Sequence, residues 1–143
     1  MKIVLCLSLL LITMGEVMAN SLTIKVQNID INRNGQIIIF LFEKEGFPKK
    51  HSKSIQMFTH EASSNTLEKK FYNLPKFVAV KILHDENKDG KVTKNWTGIF
   101  PREGLGFSNN QSIGVFGPPT FKDCSFKLEK NENKTINIKL KYP

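Results

Sequence analysis

The sequence predicts an all-β domain: a single antiparallel β-sandwich of about seven strands, with one long Gly/Pro-rich loop. Three observations predict it. Apolar and polar residues alternate with a period of two in several segments. Clusters of Asn, Gly, Pro and Ser punctuate those segments at short intervals. No segment after residue 19 carries a convincing helical repeat. Strands with turns at this spacing and no partner helices bury their apolar faces by stacking two sheets.

The N-terminus is a separate matter. Lys2 gives a positive start, Ile3 to Ile12 form an apolar run broken only by Ser8, and Val17-Met18-Ala19 supplies a cleavage site before Asn20. This pattern predicts a secretory signal peptide over 1–19, too short for a comfortable membrane span, and a mature domain over 20–143. An uncleaved anchor or a buried helix is the competing reading. Export places the mature domain in the periplasm or outside the cell, with no transmembrane segment in the mature chain. A single domain follows from 143 residues. Cys124 is the one cysteine left after cleavage, so no internal disulfide forms, and its place between Phe121 and Phe126 suits a small buried hydrophobe. The net charge of +8 is spread over scattered lysines, with only Arg33 and Arg102 as arginines. That arrangement argues for a solvated basic face and against nucleic acid as a partner.

In chain order, Leu22, Ile24 and Val26 alternate with polar residues as a first half-buried strand. Asn32-Arg33-Asn34-Gly35 is turn chemistry. Gln36 to Phe42 is an unbroken apolar run, the mark of a central strand covered on both faces. These two strands and their turn read as a hairpin. Glu43 to Ser54, broken by Gly46-Phe47-Pro48, is a surface loop with room for a helical turn. Ser54 to His60 and Thr66 to Tyr72 are further strands around a turn at Ala62 to Asn65. Phe77 to His84 places Val78, Val80, Ile82 and His84 on one face, and Phe77, Ala79, Lys81 and Leu83 on the other. Lys94 to Thr120 is rich in Gly and Pro, with enough apolar residues to pack onto the sandwich. Phe121 to Glu129 and Thr135 to Tyr142 are the last two strands.

The densest chemistry follows the Phe77 strand. Asp85, Asn87 and Asp89 put oxygen donors at alternate positions, and Gly90 turns the chain. Asp85, Asn87, Asp89 and the Lys91 carbonyl match the first four alternate ligand positions of a calcium loop. Trp96 stands where that scheme places a bidentate glutamate, so Glu103 or Asp123 is the candidate to bring a carboxylate from elsewhere. Few carboxylates on a basic protein predict weak affinity, about 10⁻⁴ to 10⁻³ M. The alternative is a polar β-turn whose Asp and Asn side chains bond their own backbone.

A family likeness is carried by the ordered series N-L-P at 73–75, V-A-V at 78–80, H-D-E-N-K-D-G-K at 84–91, N-W-x-G at 95–98, P-R-E-G-x-G-F-S-N-N at 101–110 and G-P-P-T-F-K-D at 117–123. The chain resembles the bacterial exported family known as domain of unknown function 2141, over nearly all of its mature length. The resemblance implies a small secreted sandwich of transthyretin-like or immunoglobulin-like character and no established activity. Lys76-Phe77 departs from it, standing where a glycine and a tyrosine are expected.

Two functions follow as expectations. The first is a non-enzymatic envelope module that calcium could stabilise. It binds a protein or glycan through the 94–120 loop, with Trp96, Arg102, Phe107, Asn109 and Asn110 as contacts. In the bland version of that loop, Trp96 and Phe107 pack it down and the asparagines bond its backbone. The second is a hydrolase using His84, Asp85 and Glu103, with Ser108 as nucleophile. Gly106-Phe107-Ser108-Asn109-Asn110 lacks the final glycine of a nucleophile elbow, so no residue is assigned as catalytic.

Overall fold

The computed structural model describes residues 19–95, 97–98 and 100–143. Trp96 and the expected signal peptide up to residue 18 lie outside the described residues. Among the described residues eight strands form two sheets. They are β1 (Ser21–Gln27), β2 (Gln36–Phe42), β3 (Gln56–Glu61), β4 (Leu67–Tyr72), β5 (Phe77–Asp85), β6 (Leu105–Phe107), β7 (Phe126–Lys127) and β8 (Asn133–Lys139). The first sheet runs β4-β1-β8, and the second runs β3-β2-β5-β6 with β7 also paired to β5. No helix among the described residues is long and apolar enough to cross a membrane.

Three features differ from the sequence expectations. β1 and β2 do not form a hairpin: β1 pairs with β4 and β8, whereas β2 pairs with β3 and β5 in the opposite sheet. The connection through Ile31–Arg33 and Asn34-Gly35 crosses between layers, because both strands have an apolar face to bury against each other. The β1–β8 pairing is parallel, the exception among antiparallel ladders. Finally, Phe121 to Glu129 is not one strand. Phe121–Cys124 is a single helical turn (α1), whose N-cap Thr120 accepts from the Asp123 N–H, and only Phe126–Lys127 pairs as a strand.

The alternation of side chains along β2 and β5 builds two cores. Ile37, Ile39 and Leu41 face Val78, Val80 and Ile82 inward, where they meet Leu22, Ile24 and Val26 of β1 and Ile138 and Leu140 near the C-terminus. Ile38, Phe40, Phe42, Ala79 and Leu83 face outward. That outer face is covered by chain connections: Phe47 from the 43–55 segment, then Phe107, Ile113, Phe121 and Cys124. Each large side chain taken from water contributes about 1.5–3 kcal/mol, so both faces matter energetically.

The 94–120 segment contains β6, which the sequence expectation missed. β6 pairs with β5 through Leu83↔Leu105 and Lys81↔Phe107. It also meets the C-terminal strand: Leu105 N–H donates to Lys141 O (3.0 Å) and Lys141 N–H to Leu105 O (2.9 Å). Gly106 permits this approach, since a Cβ there would lie 2.7 Å from Ile138 Cγ2. Gly106→Val should therefore destabilise the fold by about 1–3 kcal/mol through overpacking. Urea unfolding checks this, with a lower midpoint and an unchanged slope expected.

Candidate functional site

The Asp85 loop folds onto its own backbone. Asp85 is fully buried. Its Oδ2 accepts from the Gly90 N–H (2.8 Å) and from Gln36 Nε2 (2.8 Å), and its Oδ1 from the Asp89 N–H (3.2 Å). Asp89 Oδ1 accepts from the Lys91 N–H (2.8 Å), which with the Asn87 amide holds its carboxyl below the ordinary range. Glu103 is buried, and its carboxylate accepts from the Thr93 N–H (2.9 Å), the Glu86 N–H (3.2 Å) and the Thr93 hydroxyl (3.2 Å). Burial pushes the Glu103 carboxyl upward against these donors. Among the described residues no group of three His, Cys, Asp or Glu is arranged to hold a metal ion. The loop acts as a clasp: Asp85 fixes the turn, and Glu103 ties that turn to the start of the 94–120 segment.

His84 and Ser108 are separately engaged. His84 is fully buried, with Nε2 2.6 Å from Asn34 O and Nδ1 2.7 Å from the Tyr142 hydroxyl. A carbonyl only accepts, so Nε2 carries the hydrogen and Nδ1 accepts from Tyr142. The Tyr142 oxygen in turn accepts from the Asp30 N–H (2.9 Å). This chain of bonds pins the C-terminus across the β1–β2 crossover. Ser108 accepts from the Val80 N–H (2.9 Å) and donates to Cys124 O (2.6 Å). No hydrogen bond joins Ser108 to His84, Asp85 or Glu103. The Cys124 thiol, also fully buried, is pushed up to about 12 by that burial.

The proposed contact residues divide. Phe107 is buried and packs edge-on against Phe47. Asn109 Nδ2 donates to Asp123 O and Ser125 O, holding α1 in place. Phe107 therefore serves the fold, which corrects its reading as a surface contact, whereas Asn109 braces α1 and stays exposed. Arg102 and Asn110 are exposed. Phe116, one of the apolar residues expected to pack this segment onto the sandwich, does not do so: with Val115 it stands almost wholly exposed at the tip of a tight turn. Gly114 and Gly117 close that turn with reciprocal bonds of 2.9 and 3.1 Å. Two bulky apolar residues flanked by glycines were the available signal.

Lys81 was overlooked. It lies on the outer face of β5, in register between Phe40 of β2 and Phe107 of β6, and is 4% exposed. Its Nζ donates to Pro48 O (2.9 Å) and to His51 Nε2 (2.8 Å). His51 Nδ1 donates to Gly90 O (3.1 Å), and its ring stacks on Phe40 at 4.0 Å. Burial lowers the Lys81 ammonium to about 8. Burial, then the neighbouring Lys81 charge, holds the His51 imidazole below its ordinary value. A lysine alternating with Ala79 and Leu83 in a strand that is apolar on both faces was the sequence signal.

A family model described as an uncharacterized protein conserved in bacteria (DUF2141) matches residues 24–137. No curated protein and no solved structure gives a significant match.

The buried lysine makes stability depend on pH in a defined direction. Unfolded, Lys81 titrates near 10.5; folded, near 8. Between those values the unfolded chain binds more protons, so stability rises with pH, and below about pH 8 the penalty is present in full. Lys81→Met should raise stability at pH 7 by about 1–3 kcal/mol and flatten the rise between pH 8 and 10.5. Parallel unfolding curves of both proteins across this range check it. Tyr142→Phe should cost about 1–3 kcal/mol by stranding the Asp30 N–H and His84 Nδ1, measured by urea unfolding at neutral pH.

Proposed function

The chain belongs to the bacterial family known as domain of unknown function 2141, and we propose that it is an exported, non-catalytic β-sandwich module of the bacterial envelope that binds a protein partner through the 94–120 segment. The observation that carries this reading is the Val115–Phe116 tip. Exposed apolar residues held on a tight turn, rather than packed down, supply the buried aromatic anchor that interfaces use. The clasp at Glu103 and the β6 pairing fix the base of the segment, so little ordering entropy is lost on binding. Arg102 and Asn110, both exposed, offer polar contacts on the same segment. A glycan is the alternative partner, stacking on Phe116.

Against the hydrolase reading, Ser108 and His84 are each bonded to other groups, and both are buried. The Asp85 loop supports the module as a hydrogen-bonded brace, with calcium as the competing occupant.

Two experiments test this reading. Cross-linking from residue 115 in envelope extracts, followed by affinity measurement with the purified partner, should show a Phe116→Ser loss of about tenfold or more with unchanged melting temperature. Unchanged affinity would remove the tip from the interface, and selective retention on glycan instead of protein would replace the partner class. For the brace, calorimetric melting in 5 mM calcium (roughly the weak-site range) should match that in chelator. A calcium-dependent rise lost in Asp89→Ala would assign the loop to the ion.

A further inference from the structure

The outer face of β5 and β6 holds a cavity of about 530 Å³, between the 43–55 segment and the 94–120 segment. Lys81 and His51 lie in its wall, and the further lysines Lys49, Lys91 and Lys94 line it. Among the described residues no acidic side chain lines it. Leu105, Phe107 and Ile113 give it an apolar side. A volume of this size lies in the ordinary range for small-molecule sites, which combine apolar walls with a few placed polar groups.

We propose that this cavity binds a small amphipathic carboxylate, with the carboxylate on Lys81 and the apolar body along Leu105, Phe107 and Ile113. Val115 and Phe116 do not line this cavity, although Gly117 and Pro118 beside them do. A buried cation is ordinarily matched by an opposite charge. Among the described residues Lys81 has no salt bridge, and both of its hydrogen-bond partners are neutral acceptors. The ammonium carries three N–H bonds, of which those two acceptors take two. An anion in the cavity supplies the counter-charge that the protein does not. The surrounding lysines raise the local anion concentration and favour approach.

The lining also limits the ligand class. It has no arginine fork for bidentate recognition of a doubly charged phosphate. Both mature-chain arginines, Arg33 and Arg102, line a separate cavity with Glu86 and Glu103. A single buried point charge beside an extended apolar wall suits a monoanion with a hydrocarbon or aromatic body.

Because a bound carboxylate favours the charged amine, affinity falls as pH rises past about 8, where unliganded Lys81 loses its proton. The test is calorimetric titration of the purified protein with decanoate, kept below its micelle concentration. Decanol and inorganic phosphate serve as the neutral and the purely ionic comparators. One saturable decanoate site with Kd below about 1 mM is expected. Decanol and phosphate should each bind at least about tenfold more weakly, as should decanoate to Lys81→Met. Ile113→Glu, which sets a carboxylate in the apolar wall and leaves Lys81 in place, should likewise lose decanoate binding with its melting transition retained. Absence of saturable decanoate binding overturns the proposal. So does equal binding of decanol or phosphate, or undiminished decanoate affinity in either variant.

Discussion

The antiparallel pairing of β2 with β5 is the constraint on which the rest of this structure depends. Both strands are buried on both faces, so their register decides two cores at once. Ile39 opposite Ile82 and Leu41 opposite Val80 send side chains into the space between the sheets. Ile38 opposite Leu83 and Phe42 opposite Ala79 send them outward. A slip of one residue would exchange the two sets and place Lys81 in the inter-sheet core. The first core is closed by β1 and β8. The second is closed by connections instead, through Phe47 of the 43–55 segment and Phe107, Ile113, Phe121 and Cys124 further along.

That division explains where chemistry collects. A layer of loops cannot cover a twisted sheet as completely as another sheet does, and a cavity is left beside Lys81 and Phe107. The polar residues near it are of two kinds. Asp85, Glu103, His84 and Ser108 are buried and spend their hydrogen-bonding capacity within the fold, on backbone groups and on the side chains of Gln36, Thr93 and Tyr142. Lys81 is buried too, but its partners are neutral and its charge is left unmatched by the protein. Stability and binding capacity therefore trace to different buried polar groups in the same neighbourhood.

Much of the fold was legible because period-two alternation is a local property. The extent and double-faced burial of β2, the shared face of Val78, Val80 and Ile82 on β5, and the inward side chains Ile138 and Leu140 follow from single-residue patterns. Pairing is not local. Nothing in Leu22 to Val26 states that β1 lies parallel to β8 rather than against β2, and a turn such as Asn34-Gly35 serves a crossover as well as a hairpin. The α1 turn was hidden because Phe121, Cys124 and Phe126 are apolar in any conformation, although Thr120 and Asp123 stand at capping distance. At the site, the oxygen-rich loop at Asp85 was plain in the sequence, but whether its oxygens meet an ion or N–H groups depends on chain path. Phe107 is buried and Phe116 exposed for a similar reason. Both are phenylalanines in a Gly/Pro-rich segment, and only the pairing of β6 with β5 separates them.

The account rests on the outer face of β2 and β5 burying a lysine amine that has no acidic partner among the described residues. Nuclear magnetic resonance titration of the Lys81 Cε in the folded protein reads this most directly. A midpoint near 8, well apart from the exposed lysines, is the result the account predicts. A midpoint beside theirs, near 10.5, would show that water solvates the amine, and would contradict both its burial and the role given to Lys81 in the cavity.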